Sequence, residues 1–293
     1  MHRYNTPLRY PGGKQKIAPF VAELMELNGL SGSDYVEPYA GGAGVAMELL
    51  LGGVAGRIHL NDSCPSLFAF WRSVLDETES LCRMISSASL SIDEWRRQRA
   101  IFQRPQDHEP LAVGFSLFYL NRCNRSGIPR GGLIGGLNQV GNWKMDARFT
   151  RNELIRRIEV IAARRSDIFV SNRDAEDFIA NQIPTLKGSV FVYCDPPYYH
   201  KAERLYQNHY KPQDHARIAR VIQQQIRGPW IVSYDSAPEI IGYYSRRRSF
   251  LYDLQYNASR AYKGTEVFVI SDDLVVPDTS SVSCINAALA EIA

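Results

Sequence analysis

Residues 35–62, YVEPYAGGAGVAMELLLGGVAGRIHLND, constrain the fold more than any other stretch of this chain. A short apolar strand at Tyr35-Val36 runs into a glycine-rich turn at 37–44, and an apolar helical run follows at 45–51. A second strand at 57–60 then ends at Asn61-Asp62. Strand, glycine turn, helix, strand and acid in that order open a doubly wound α/β sheet. Glycine has no Cβ, so the turn lets backbone approach a ligand closely. Asp62 stands where an acid meets the ribose hydroxyls of an adenosine-containing cofactor. The GxGxxG spacing is incomplete, so a plain structural turn followed by a solvated acid is the competing reading.

The rest of the chain alternates accordingly. Apolar residues at Ile17, Phe20, Val21, Leu24 and Leu27 give a helical period over 15–28. Residues 65–120 are rich in helix formers and aromatics, and 121–143 are rich in glycine and arginine. A further amphipathic helix is predicted over 151–165 and another over 213–226. Strands are predicted at 168–170, 189–194, 230–234 and 266–271. These elements imply a discontinuous α/β core, residues 1–74 and 151–293, interrupted by a mainly helical insertion at 75–150.

Composition narrows the class. With 293 residues, 45% hydrophobic and 22% charged, the chain has enough apolar content for a packed core. The net charge of +3 is too small to imply a nucleic-acid partner, but arginines cluster locally at 122, 125 and 130 and at 246–248. Arg246, Arg247 and Arg248 read as a solvated basic edge rather than a reader of bases. The five cysteines are scattered without a CxxC pair, which argues against a zinc site or a disulfide framework. The histidines show no metal-ligand spacing, so no metal is expected. No apolar run approaches a membrane span and the first residues lack a secretory apolar segment, so no membrane partner and a cytoplasmic setting are expected.

Two short motifs carry chemistry. At 190–199, VFVYCDPPYY, a buried-strand pattern stops at Asp195, and two prolines and two tyrosines follow. Pro196 and Pro197 have fixed φ and no N–H, so the carbonyls of Asp195 and Pro196 are held still. A primary amine could donate one hydrogen to the Asp195 carboxylate and one to a carbonyl, while Tyr198 stacks on the ring bearing it. A strand-ending turn with surface tyrosines is the alternative. The other motif, YPGGK at 10–14, lacks the spacing of a phosphate-binding loop, and its lysine could hold a carboxylate or simply be exposed.

The ordered set RYPGGK, VEPYAGGAGVA, DPPYY, IVSYDS and TEVFVIS resembles the Dam-like class of DNA adenine-N6 methyltransferases over nearly the whole chain, to about residue 275. The resemblance implies a Rossmann-like methyltransferase sheet with an inserted, mainly helical target-recognition domain. It implies S-adenosylmethionine as cofactor and double-stranded DNA as partner, and it leaves room for a cognate restriction enzyme, which the sequence itself does not supply. Tyr10 and Lys14 match cofactor contacts, Lys14 toward the methionine carboxylate. Glu37, Pro38, Tyr39, Gly41 and Gly42 would line the methionine end, and Asp62 would take the ribose hydroxyls. Asp174, with Asp177 as rival, would lie near the cofactor adenine. Asp195, Pro196, Pro197 and Tyr198 would hold an extruded target adenine, with Asp195 also near the cofactor and Tyr198 near the sulfonium.

The segment LNRCNRSG resembles the family's recognition hairpin, with Cys123 and Asn124 departing from its commoner residues. Asn121, Arg122, Asn124, Arg125 and Arg130 are the implied DNA contacts. Arginine suits guanine and asparagine suits adenine edges, although for any single arginine a contact to phosphate alone is the better reading. The alternatives are an RNA adenine-N6 or DNA cytosine-N4 enzyme, or a non-catalytic DNA-binding module on the same scaffold.

Overall fold

The computed structural model describes residues 5–9, 14–199, 210–257, 261–277 and 290–291, the backbone alone at 253–257, 261–264 and 290–291. In chain order the elements are α1 (Ala18–Leu27), β1 (Asp34–Glu37), α2 (Gly44–Leu51), β2 (Arg57–Asn61), α3 (Pro65–Asp76), α4 (Thr78–Ser87), α5 (Ile92–Gln103), α6 (Pro110–Cys123) and α7 (Arg151–Ala162). Then come β3 (Ile168–Ser171), β4 (Val190–Cys194), α8 (Pro212–Gln225), β5 (Trp230–Asp235), α9 (Pro238–Tyr243), β6 (Ser249–Asn257), β7 (Ala261–Ile270) and β8 (Ala290–Glu291). Among the described residues, no helix is long and apolar enough to cross a membrane.

The chain divides into two compact units. One comprises Met1–Pro11 and Cys64–Asn172, the other Gly12–Ser63 and Arg173–Ala293. The helical unit is therefore wider than the 75–150 segment read from sequence, because α3, α7 and β3 pack with it. Aromatic packing explains why. Phe70 of α3 stacks on Phe118 of α6 at 5.9 Å between ring centroids, and Phe118 and Tyr119 both pack edge-on against Phe149. Residues 5–9 are bound into the same unit. Arg157 Nη1 donates to the Thr6 carbonyl, an Arg122 Nη2 hydrogen reaches the Pro7 carbonyl, and the Arg9 N–H donates to Asn121 Oδ1.

The other unit is built on a mixed sheet in the order β2-β1-β4-β5-β7-β6-β8. Strands β2, β1, β4 and β5 are parallel, and β7, β6 and β8 run antiparallel to their neighbours. The residues of β1 and most of β4 are buried, as expected of central parallel strands covered on both faces. Val36, Val192 and Val232 pack with Ile218 and Ile222 of α8 in one apolar cluster. Elsewhere in the unit Phe20 of α1 stacks on Phe268 at 5.1 Å. The sheet is thus the doubly wound α/β architecture read from the 35–62 pattern.

Helices α3 and α6 pack closely. A Cβ at Gly114 would lie 2.8 Å from the Ala69 carbonyl oxygen and 2.8 Å from the Phe70 Cα, both backbone atoms. Gly114→Val should therefore destabilise the protein by about 1–3 kcal/mol, the usual penalty of overpacking. A lower urea midpoint at unchanged slope would register it.

Candidate active site

In a doubly wound sheet, the chain returns in opposite directions from two neighbouring strands, and the crevice at their carboxyl ends receives ligands. Here β2 lies on one side of β1, and β5 lies on the far side of β4, so the switch falls between β1 and β4. Glu37 ends β1, and Asp195 immediately follows β4. The glycine turn and the Asp-Pro-Pro-Tyr motif therefore lie at the ends of adjacent strands.

Asp195 is held from one side only. Lys14 Nζ lies 3.0 Å from its Oδ1, and Ser233 Oγ donates to the same oxygen at 2.9 Å. Among the described residues Oδ2 receives no hydrogen bond. Ser233, on β5, is itself fixed by the Tyr193 hydroxyl at 2.8 Å. Behind this pair lies a second, fully buried carboxylate, Glu266 of β7. It accepts from Lys14 Nζ at 2.5 Å, from the Tyr252 hydroxyl at 2.5 Å and from the Tyr198 hydroxyl at 2.8 Å. Burial opposes the charge on Lys14, but Asp195 and Glu266 outweigh it and hold the ammonium above its ordinary range. Burial next to these acids pushes the Tyr193 and Tyr252 hydroxyls well up, so both stay protonated donors.

This geometry corrects two sequence expectations. Lys14 has three N–H hydrogens, and Asp195, Ser233 and Glu266 take them. In this arrangement none is left for a methionine carboxylate, and Lys14 is bonded to Asp195, Ser233 and Glu266 instead. Tyr198 is 3% exposed, its hydroxyl is held by Glu266, and Lys14 Nζ sits 5.5 Å from its ring centroid. In this arrangement Tyr198 is part of the buried network and presents no open stacking face. Pro196 is buried and Pro197 half-buried beside it. Tyr10 lies outside the described residues.

The glycine turn forms the other wall. Gly41 and Ala43 both adopt positive φ, 48° and 47°, before α2 begins at Gly44. The first turn of α2 has no side-chain cap of its own, and Glu37 supplies the acceptor: its Oε1 takes the Ala46 N–H at 3.1 Å and the Tyr35 hydroxyl at 2.9 Å. Burial nevertheless dominates and raises the Glu37 carboxyl to about 8. Its Oε2 has no hydrogen bond among the described residues. Asp62 accepts the Gly41 N–H at 2.9 Å and so pins the turn. Asn61, which the sequence marked only as a strand end, donates to the Pro38 and Arg173 carbonyls and accepts the Arg173 N–H. It ties the turn to the segment carrying Asp174 and Asp177. Asp177 is occupied by Arg173 and Asn181. Exposed Asp174 uses one oxygen to cap Glu176, and its other oxygen is open among the described residues. The Tyr39 hydroxyl meets the Tyr210 hydroxyl at 3.0 Å.

In the helical unit three expected DNA contacts are structural instead. The Asn121 amide donates to the Arg9 and Gly127 carbonyls. The Asn124 amide donates to the Ile128 and Pro129 carbonyls, and its oxygen accepts from the Trp95 indole. Arg122 is buried, and desolvation, reinforced by Arg157, Arg9 and Arg148, lowers its guanidinium to about 9. Side chains buried and bonded in this way cannot reach base edges. Arg125 and Arg130 are exposed.

Fold and site together define a doubly wound α/β sheet with an Asp-Pro-Pro-Tyr motif at its switch point. The family model of D12 class N6 adenine-specific DNA methyltransferases matches residues 10–257, and the chain belongs to that family. It is an adenine-specific DNA methyltransferase. No curated protein matches it. Among solved structures it is similar to the rRNA methyltransferase aviRa from Streptomyces viridochromogenes, at 12% identity over 89% of this chain and 86% of that one, with a TM-score of 0.41. It is also similar to a putative class I S-adenosylmethionine-dependent methyltransferase from Listeria monocytogenes, at 11% identity over 97% of this chain and 69% of that one, with a TM-score of 0.39.

The Glu37 carboxyl makes stability depend on pH. Its folded value, about 8, lies above the ordinary 4.5, so folding takes up a proton in that window. Stability should therefore fall as pH rises between the two values, and this decline should be absent in Glu37→Gln. Urea unfolding of both proteins across the window measures the difference.

Proposed function

We propose that the protein transfers a methyl group from S-adenosylmethionine to the exocyclic N6 of an adenine turned out of duplex DNA. The observation that carries this reading is the asymmetry at Asp195: Oδ1 is fixed by Lys14 and Ser233 while Oδ2 is left to accept. The adenine amine is a weak nucleophile because its lone pair is delocalised into the ring. Donation of one hydrogen to Asp195 Oδ2 and the other to the Pro196 carbonyl favours a pyramidal nitrogen with that pair free. The pair then forms the new N–C bond, and the surplus proton leaves through Oδ2. S-adenosylmethionine, when bound, would supply an electrophilic methyl group on a sulfonium, whose bond to that methyl would break as the N–C bond forms and leave a neutral thioether.

The donor set of the other wall fits such a molecule. Glu37, neutral below about pH 8, offers Oε2 to the methionine end, and the tight turn at Gly41 and Gly42 brings backbone close to it. Asp62 is assigned to the ribose, sharing its carboxylate with Gly41, and Asp174, with an open oxygen, to the adenine amine. The target base pairs inside a duplex, so it must leave the stack at a cost of a few kcal/mol. Tyr198 supports it only once a face of its ring is uncovered.

The product decides the reading. Pure protein given tritiated S-adenosylmethionine and unmethylated duplex DNA should incorporate label, recovered by nucleoside mass spectrometry as N6-methyladenine. Label confined to cytosine-N4 or to RNA would overturn it.

A further inference from the structure

A buried, half-satisfied imidazole packs against the end of the acceptor motif. His215, near the start of α8, is 1% exposed. Its Nδ1 lies 2.9 Å from the Tyr234 hydroxyl, and its buried Nε2 has no hydrogen bond among the described residues. A leucine or phenylalanine would occupy the same space without leaving a buried polar atom unpaired. Packing alone therefore gives no reason for a histidine here.

The rings around it belong to different parts of the site. Tyr199, the residue after Tyr198, packs on His215 at 5.0 Å between ring centroids. Its backbone N–H donates to Asp235 at the end of β5. Tyr210 meets His215 edge-on at 5.4 Å. The Tyr210 hydroxyl is bonded to that of Tyr39 in the glycine turn, and these two rings also meet edge-on, at 6.3 Å. An unbroken series of contacts thus runs from the glycine turn through Tyr39, Tyr210 and His215 to Tyr199, all within one compact unit. Helix α8 itself is fastened at this end, because Asp214 takes the Lys211 N–H and Arg217 pairs with Glu176, two residues from Asp174.

One bond sets the plane of the imidazole. Burial pushes the Tyr234 hydroxyl well up, so it keeps its hydrogen. Burial also holds His215 below its ordinary range, against the pull of Asp235 and Asp214, so the ring is neutral. If Tyr234 donates to Nδ1, only the Nε2 hydrogen is left without a partner. If it accepts, its own hydrogen and the Nε2 lone pair are both left. The first arrangement costs less, so Tyr234 donates and stops the ring from turning about its Cβ–Cγ bond. A hydrocarbon ring would have no such restraint.

We propose that His215 is a positioning residue for methyl transfer: oriented by Tyr234, its ring braces Tyr199 of the acceptor side against Tyr210 and Tyr39 of the donor wall, and so fixes the spacing of amine and methyl group. The proposal rests on the reading of the site as one that joins S-adenosylmethionine to an adenine amine. His215 touches neither reactant, but a misplacement of about 1 Å can cost a hundredfold in rate, so a brace behind the site controls turnover.

Single-turnover transfer from tritiated S-adenosylmethionine to saturating unmethylated duplex fragments separates bracing from packing. His215→Leu and Tyr234→Phe should each bind donor and duplex within a few-fold of wild type yet transfer about tenfold more slowly. Adding Tyr39→Phe to Tyr234→Phe should cost little beyond the larger single loss, since both changes break one series of contacts. If wild-type protein methylates and the variants transfer at its rate, with only their urea midpoints altered, His215 is a packing residue: the proposal is wrong and the enzymatic reading stands. Should His215→Leu fail to fold, Tyr234→Phe, which removes a single oxygen, decides by the same criterion. Losses that multiply in the double variant would cut Tyr39 out of the series and overturn the brace between the two walls. Wild-type protein that binds no donor and methylates no DNA would overturn both readings.

Discussion

One buried ammonium organises the catalytic unit. Lys14 stands between two carboxylates, Asp195 and Glu266, drawn from strands that are far apart in sequence. Removing two acids from water is costly unless they are paired and hydrogen-bonded. Lys14, Ser233, Tyr252 and Tyr198 supply those bonds, so the acids hold fixed positions at the carboxyl end of the sheet. The same cation that makes the burial tolerable also turns one face of Asp195 inward. The oxygen that remains is the one the proposed reaction uses as its acceptor.

The acids flanking the switch point have different surroundings. Asp195 is paired with a cation, whereas Glu37, buried beside a tyrosine hydroxyl and a helix N-terminus, keeps its proton up to about pH 8. Two carboxyl groups on adjacent strands thus differ in chemistry because one has an ammonium partner and the other has only neutral donors. In the proposed reaction one wall takes the amine and the other the methyl donor.

Much of this was legible in the sequence. The glycine turn and its following acid marked β1, α2 and β2, and the Val190 to Tyr198 pattern marked β4 and the acceptor motif. Strand β6 escaped notice, although SFLYDLQYN alternates apolar and polar residues as a half-buried strand does. Glu266 and Ser233 lay in strings legible only as motifs. Their roles depend on the register that brings β5 beside β4 and β7, which no local pattern encodes. Asn121, Arg122 and Asn124 misled for a related reason: their types suit base edges, but residues 5–9 fold back onto Asn121 and Arg122, and Ile128, Pro129 and Trp95 take the hydrogen bonds of the Asn124 side chain. Side-chain type announces what a residue can bond to, and only tertiary packing decides whether water, substrate or backbone answers.

The half-held carboxylate is tested most directly by the isosteric change Asp195→Asn, followed by single-turnover methyl transfer. The amide oxygen can still meet Lys14 and Ser233, which turns the NH2 group toward the substrate amine, a donor facing a donor. The account predicts a folded protein that binds methyl donor and DNA but transfers at least about a hundredfold more slowly, the lower end of what a positioned proton acceptor contributes. Transfer within a few-fold of wild type would contradict it.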